Sequence, residues 1–204
     1  MSLSLERLRG KLLADVPALP LEPRRSDYDL EPEQRPPRPA VLTAAAVLMP
    51  IVRRPEPTVL FTERSADLAR HAGQVSFPGG RTHPDDESLV HTALRETQEE
   101  TGIDPQFVAV AGFLDPYETG TGFAILPVVG LLREGFALVP DTNEVAEIFE
   151  VPLAFLLDPA NREKERMEWR GRMRSYYVFR YNGHTIWGAT AAMLVNFAER
   201  WNAA

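Results

Sequence analysis

The sequence predicts an α+β fold in which a mixed β-sheet packs between helices. Apolar runs typical of buried strands alternate with helical patterns, but without the strict strand–helix–strand order of a doubly wound sheet. The chain has 204 residues, of which 44% are hydrophobic, so it can bury one sizeable core. These observations favour a layered sheet within one main domain.

The first forty residues differ in composition from the rest. Leucines between positions 3 and 13 lie near helical spacing and predict a short amphipathic helix. Seven prolines follow between residues 17 and 39; they exclude a helix or a central strand and predict an extended arm. The arm is interpreted either as a connector on the protein surface or as a segment that reaches a second subunit. We therefore divide the chain into an arm, residues 1–40, and a main domain, residues 41–204.

The main domain begins with two strands, a helix and two further strands. Apolar runs predict strands at residues 44–52 and 58–62, and two more β-rich runs occupy residues 108–114 and 123–132. Residues 86–101 have helical composition. Gly102 follows them, and glycine commonly ends helices because it tolerates the left-handed conformation.

The C-terminal part predicts a short helix, a hairpin and a final helix. Residues 152–157 resemble a short helix, because proline is favoured at the first helical position. Asn182 and Gly183 form a strong two-residue turn signal between strands at 176–181 and 184–187. Apolar residues from 193 to 201 share one helical face. The alternating charges of residues 162–174 predict a solvated hairpin rather than a ligand site.

Composition excludes several classes of function. The net charge of −7 argues against a nucleic-acid-binding protein, which normally has a basic excess. The chain has no cysteine, which excludes disulfides, cysteine nucleophiles and thiolate metal sites. No stretch reaches the roughly 18 apolar residues of a membrane span, and charges interrupt the N-terminal apolar positions before a signal peptide can form. We therefore expect a cytoplasmic protein without membrane contact.

Three carboxylates on the predicted helix carry the chemical information. Glu96, Glu99 and Glu100 fall within one sector of about 100° on a helix, where they repel each other. This arrangement is favourable if a hard divalent cation binds among them, since Mg²⁺ takes oxygen ligands and shares its shell with phosphate oxygens. The alternative is a solvated acidic face. His83, His91 and His184 lack the paired spacing of metal ligands.

A glycine pair in front of the helix strengthens the metal interpretation. Gly80, followed by Arg95-Glu96-x-x-Glu99-Glu100-x-Gly102-Ile103, resembles the Nudix box. Two features depart from that pattern: Thr97 replaces an apolar residue, and the spacing from Gly80 to Arg95 is one residue longer. Because of the longer spacing, either Asp86 or Glu87 occupies the first acidic position.

A second resemblance is narrower. The segments from Leu60 to Ala66, from Arg70 to Gln74 and from Phe77 to Arg81 resemble the signature of the coenzyme A pyrophosphatase branch of Nudix hydrolases. That branch also tends to have the longer box. The resemblance covers roughly residues 44–197 and leaves the arm unmatched.

The resemblance implies a Nudix fold, an α/β/α sandwich, and hydrolysis of the coenzyme A pyrophosphate bond to adenosine 3′,5′-bisphosphate and 4′-phosphopantetheine. Acylated or oxidised coenzyme A are further substrates to expect, and a homodimer is expected from the family alone. The implied cofactor is Mg²⁺ or Mn²⁺, held by Glu96, Glu99 and Glu100. Arg95 would hold the helix geometry, and Glu99 would be catalytic. Glu144 is the loop candidate for the general base and Glu147 the second.

The same resemblance suggests which residues contact the substrate. The candidates are Arg64, Arg70, His71, Gln74, Ser76, Gly79 and Gly80. Arginine pairs with phosphate oxygens through its planar fork. The alternative is that Arg64 and Arg70 pair with Asp67, Asp85 or Asp86. Two other functions stay open: a Nudix hydrolase of ADP-ribose, NADH or dinucleoside polyphosphates, and a catalytically silent Nudix-fold ligand sensor or interaction domain.

Overall fold

Two β-sheets and four α-helices make up the described part of the chain, which is residues 3–37, 41–66, 72–169 and 171–203 of the computed structural model. The first elements are α1 (Leu5–Arg9), β1 (Arg25–Ser26), β2 (Thr43–Val52), β3 (Thr58–Arg64), β4 (Val75–Ser76), β5 (Gly79–Arg81), α2 (Leu89–Thr101) and β6 (Val108–Phe113). The others are β7 (Tyr117–Glu118), β8 (Phe123–Leu132), β9 (Val145–Pro152), α3 (Leu153–Leu157), β10 (Glu163–Trp169), β11 (Arg172–Tyr181), β12 (His184–Trp187) and α4 (Gly188–Asn202).

The large sheet is mixed and has helices on both faces, as predicted. Its central strands β2 and β8 pair in parallel along their whole lengths, and in the described residues the order is β1-β7-β8-β2-β3-β4, with β5 on β2, β6 on β8 and β9 on β3. Side chains alternate along β2 because a strand has a period of two. Ala46 and Leu48 pack with α2, whereas Met49 and Ile51 pack with α4. The result is the expected α/β/α sandwich.

A histidine makes one of the contacts between the second sheet, β10-β11-β12, and the large sheet. Glu63 of β3 and Glu147 of β9 are directly opposite each other, where like charges are unfavourable. The Nδ1 atom of His184 lies 3.1 Å from Glu63 Oε2, and its Nε2 atom lies 3.8 Å from Glu147 Oε1. The imidazole also stacks on Phe149 at 3.7 Å between ring centroids. His184 therefore links the two sheets.

The arm packs against the main domain of its own chain. Leu8 of α1 is fully buried in the core on the α4 side of the sheet. Strand β1 pairs in parallel with β7 at the sheet edge. Asp27 then accepts hydrogen bonds from the Tyr117 hydroxyl at 2.8 Å and from the Gly120 N–H at 2.6 Å. The arm is therefore more deeply built into the fold than a surface connector.

Most elements lie where the sequence places them, with two corrections. The helix predicted at 86–101 begins at Leu89, because Ser88 caps it and Asp86 is used elsewhere. Glu144 lies in the turn before β9, as expected of a loop residue, but Glu147 lies within β9, because β3 offers an antiparallel edge to residues 145–152. Pro152 ends that strand and α3 starts after it. The turn at Asn182 and Gly183 is confirmed, with φ angles of 47° and 89°.

None of the described helices is long and apolar enough to cross a membrane.

Asp115 connects the sheet to α4 and gives a prediction about pH and stability. Burial raises its pKa, but the hydrogen bonds from Arg200 and Asn196 outweigh burial, so the net shift is downward. The folded state therefore binds this proton less readily, and the stabilisation is lost as the pH falls through the lowered pKa. We expect Asp115→Asn to reduce the free energy of unfolding at pH 7 by about 1–3 kcal/mol.

Urea unfolding at pH 7 and pH 3 measures this effect. The difference between Asp115→Asn and the natural chain should shrink at pH 3, and exposed Asp15→Asn should change stability at neither pH. A deficit of equal size at both pH values would contradict the ion-pair explanation.

Candidate active site

Helix α2 carries the predicted carboxylates, and both of its ends are fixed locally. Ser88 Oγ accepts a hydrogen bond from the N–H of His91 at 3.1 Å. Gly102 ends the helix in the left-handed region, with a φ of 75°. Between these caps the carboxylates differ in environment: the side chains are 20% exposed for Glu96, 59% for Glu99 and 6% for Glu100.

Arg95 connects the helix to the loop before it. Its Nε and Nη2 atoms donate to the two carboxylate oxygens of Asp86 at 2.8 and 3.0 Å, the bidentate geometry that arginine favours. Its Nη1 atom lies 2.8 Å from Glu96 Oε1 and 2.9 Å from Glu99 Oε2. The hydrogen bonds from Arg95 hold the pKa of Asp86 well below its usual range.

The glycine pair brings backbone directly against two of the carboxylates. The N–H of Gly79 donates to Glu100 Oε2 at 3.2 Å. A Cβ atom on Gly80 would lie 2.3 Å from Glu96 Oε2, so only glycine leaves room for that carboxylate. Burial raises the pKa of Glu100 to about 8 and also raises the pKa of Glu96. Two desolvated carboxylates therefore flank one short stretch of backbone.

Glu144 approaches the same place from another element. Its loop is fastened to the end of α2, because Asp141 N–H donates to the Glu100 carbonyl at 3.1 Å and Ser65 N–H donates to the Glu144 carbonyl at 2.8 Å. The charge of Glu144 contributes to the raised pKa values of both Glu96 and Glu100. Glu147, the second candidate for the base, lies in β9 beside His184 instead.

These carboxylates form a donor set suited to a hard divalent cation. Such cations prefer oxygen ligands. The negative charges of Glu96, Glu100 and Glu144 repel one another, so the free energy of the site is higher when all three carboxylates are ionised. Among the described residues, the potential ligands gathered within 4.8 Å of one another are Glu63, Glu147 and His184, not the helix carboxylates. Arg95 Nη1 lies between Glu96 and Glu99, at 2.8 Å and 2.9 Å from their nearest oxygens.

A cavity of about 650 Å³ opens beside the glycine pair. Five of the predicted substrate-binding residues line it: Arg64, Gln74, Ser76, Gly79 and Gly80. The other two, Arg70 and His71, lie outside the described residues. In the part of the chain that the structure describes, Arg64 Nε is buried without a hydrogen-bond partner, and Arg64 Nη1 lies 3.7 Å from Glu100 Oε1. The expected alternative partner Asp86 is instead bound to Arg95.

Sequence reasoning missed several residues that line the same cavity. Arg81 ends the segment from Phe77 to Arg81 and Phe123 begins a predicted strand, and the Arg81 guanidinium lies over the Phe123 ring at 5.0 Å. The position of Arg81 directly after the glycine pair was the available signal. The arm and the second sheet also contribute lining residues, which no local motif indicates.

Comparison with known proteins identifies the family. The family model described as NUDIX domain matches residues 42–170 of this chain. The "Uncharacterized Nudix hydrolase NudL" of Photorhabdus laumondii subsp. laumondii is 45% identical over 156 residues, which cover 76% of this chain and 83% of that protein. The chain belongs to the Nudix hydrolase family.

Two further proteins illustrate the range of similarity. The Pectobacterium atrosepticum protein of the same name, NudL, is 45% identical over 159 residues, covering 76% of this chain and 80% of its own. Among solved structures, a MutT protein from Methanosarcina mazei Go1 is 23% identical, with a TM-score of 0.48 over 79% of this chain and 94% of that chain.

Both departures from the Nudix box have a structural explanation. Asp86, rather than Glu87, binds the box arginine, while the N–H of Glu87 donates to His91 Nδ1 at 3.1 Å. Thr97 is buried where the box usually has an apolar residue, and its hydroxyl donates to the Ala93 carbonyl at 2.6 Å. The hydroxyl is therefore satisfied within the helix, and the methyl group takes the apolar role.

The two acidic neighbours before the helix provide a matched test. We expect Asp86→Asn to reduce the free energy of unfolding by about 1–3 kcal/mol, because it leaves the Arg95 guanidinium without its bidentate partner. Glu87→Gln removes an exposed carboxylate and should change stability by less than about 0.5 kcal/mol. Chemical denaturation of both variants measures the difference. Equal effects would show that Glu87 shares the role.

The close approach at Gly80 gives a second prediction. The φ of Gly80 is compatible with alanine, so Gly80→Ala should leave thermal stability nearly unchanged while its Cβ displaces the flexible Glu96 carboxylate. We expect the affinity for Mn²⁺, used as a divalent probe in calorimetry, to fall at least tenfold. Gly10→Ala is the control, because its Cβ would meet its nearest atom at 3.7 Å. Unchanged Mn²⁺ affinity in Gly80→Ala would place the cation away from Glu96.

Proposed function

We propose that this Nudix hydrolase cleaves the pyrophosphate bond of coenzyme A, giving adenosine 3′,5′-bisphosphate and 4′-phosphopantetheine. One observation carries the proposal: residues of the segment that resembles the coenzyme A branch line the cavity that adjoins the carboxylate helix. Arg64 on β3, Gln74 and Ser76 around β4, and the glycine pair come from separate elements and converge there. Motif residues that only supported the fold would have no reason to share one cavity.

The proposed cofactor is Mg²⁺ or Mn²⁺, held by Glu96, Glu99 and Glu100. When bound, such a cation neutralises pyrophosphate charge and lowers the pKa of a bound water. The chain itself contributes positioning. Arg95 holds Glu96 and Glu99 on one side of the helix, and the Gly79 N–H orients Glu100.

Arg64 is the proposed contact for a phosphate oxygen. It lines the cavity beside the glycine pair, and arginine binds phosphate oxygens through its planar fork. Its positive charge would offset the pyrophosphate charge. Gln74 and Ser76 line the neighbouring wall and offer further polar contacts.

Glu144 is the proposed general base. It is exposed and lies in the turn just before β9, close enough to influence the pKa values of Glu96 and Glu100. Its loop is anchored by backbone hydrogen bonds to α2 and to Ser65, so the carboxylate is presented from a fixed support. There it would accept the proton of the water that attacks phosphorus, while the bridging P–O bond breaks.

An endpoint assay tests the proposed reaction. Purified protein is incubated with coenzyme A and Mg²⁺ or Mn²⁺, and the products are resolved by chromatography. We expect adenosine 3′,5′-bisphosphate from the natural chain. Glu99→Gln should lower turnover at least a hundredfold with the fold retained, because the substitution removes a ligand charge. Glu87→Gln, which keeps all contacts of Arg95, should retain full activity.

Parallel incubations separate this proposal from its alternatives. Intact coenzyme A together with cleavage of ADP-ribose, NADH or a dinucleoside polyphosphate would assign the chain to another Nudix substrate. Thermal stabilisation by these compounds without any turnover would instead indicate a ligand sensor. Near-normal turnover by Glu99→Gln would remove Glu99 from the metal site.

A further inference from the structure

The cavity extends well beyond the family's matched region. Part of its wall is built by Arg25, Ser26, Asp27, Asp29 and Leu30 of the arm, by the β10–β11 hairpin and by the start of α4. The NUDIX match spans residues 42–170, so the arm and α4 add a wall that the match does not include. The cavity volume of about 650 Å³ is within the range of sites that enclose a whole small-molecule ligand.

The arm is held rigidly enough to serve as a wall. Arg174 of β11 donates to the Asp27 carbonyl at 2.5 Å, and its guanidinium lies over the Tyr28 ring at 4.3 Å. Ser175 donates through its N–H and its hydroxyl to the two oxygens of Glu31, at 3.2 and 2.8 Å. With the β1–β7 pairing, these contacts tie the arm to both sheets.

The wall that the arm, the β10–β11 hairpin and the start of α4 contribute has a large apolar component. Apolar and aromatic side chains line it: Leu30, Met167, Trp169, Tyr176, Trp187 and Ala189. Two arginines of this wall are already engaged, because Arg25 pairs with Glu199 at 2.6 Å and Arg174 is bound to the arm. Asp27 and Asp29 also line the cavity. A neutral apolar chain would be accommodated against the apolar side chains of this wall.

The residues beside the glycine pair offer complementary chemistry. Arg64 and Arg81 both line the cavity, and Arg81 has no carboxylate partner among the described residues. The Arg81 guanidinium over the Phe123 ring presents a flat cationic surface. Anionic parts of a ligand are therefore favoured beside the glycine pair.

We propose that the arm and the β10–β11 hairpin form a subsite for a neutral, largely apolar chain, and that Leu30 and Met167 set the length of chain accepted. This inference rests on the proposed function, in which that chain is the pantetheine arm and any acyl group on its sulfur. The hairpin expected to be only solvated thus has one side that lines the binding cavity.

Calorimetry with fragments tests the subsite without requiring turnover. The probes are S-ethylpantetheine, S-octylpantetheine and adenosine 3′,5′-bisphosphate. Each methylene buried strengthens binding by up to about fourfold, so the octyl compound should bind the natural chain at least tenfold more tightly than the ethyl compound. Leu30→Trp and Met167→Trp shorten the subsite and should each weaken octyl binding at least tenfold. Both positions are partly exposed, so the larger side chain is compatible with folding.

Met173→Trp is the matched control. Met173 lies on the same hairpin and is 45% exposed, but it does not line the cavity. We expect it to leave the binding of all three probes unchanged. Any one of three results would overturn the inference. The first is equal affinity of the natural chain for the two pantetheine derivatives, and the second is its failure to bind the octyl compound. The third is that Leu30→Trp and Met167→Trp lose binding of adenosine 3′,5′-bisphosphate rather than of the octyl compound.

The coenzyme A assay keeps the two proposals separable. A chain that cleaves coenzyme A but shows no chain-length effect retains the proposed function and loses this subsite. A chain that binds the octyl probe through Leu30 and Met167 but leaves coenzyme A intact has the subsite and loses the proposed reaction.

Discussion

The guanidinium of Arg95 is the interaction on which the arrangement of this site depends. A helix with glutamates at 96, 99 and 100 repels itself by a few tenths of a kcal/mol per pair. Arg95 offsets that repulsion and at the same time secures the loop before the helix through Asp86. A lysine would not replace it, because only the planar fork can bind one carboxylate with two nitrogens and present the third to others.

The site also concentrates unfavourable electrostatics that the rest of the fold supports. Glu100 is buried and Glu96 is largely enclosed, so ionising either one costs free energy in the absence of a cation. The long parallel pairing of β2 with β8 supplies a rigid apolar platform beneath them. Active sites commonly store such destabilisation, because the same groups gain when a ligand of opposite charge arrives.

The arm changes how the cavity should be understood. A Nudix domain bounded by residues 42–170 would leave the cavity open on one side, since that wall comes from residues 25–30 and from α4. Buried Leu8 and the β1–β7 pairing anchor the arm at two separate points. The arm, which has no recognisable motif, therefore supplies part of the cavity wall.

Sequence alone determined the features that depend on near neighbours. The helix with its three carboxylates, its glycine end and the Asn182–Gly183 hairpin are all set by residues a few positions apart, where periodicity and backbone preference are decisive. Tertiary structure decided the choice of Asp86 over Glu87, the strand β9 and the wall built by the arm. Each of these needs a partner distant in the chain: the Arg95 fork nine residues on, the free edge of β3, and the edge strand β7 with Arg174. Counting residues along the sequence cannot show whether Asp86 or Glu87 binds Arg95. The folded loop decides this, because it directs only the Asp86 carboxylate toward Arg95.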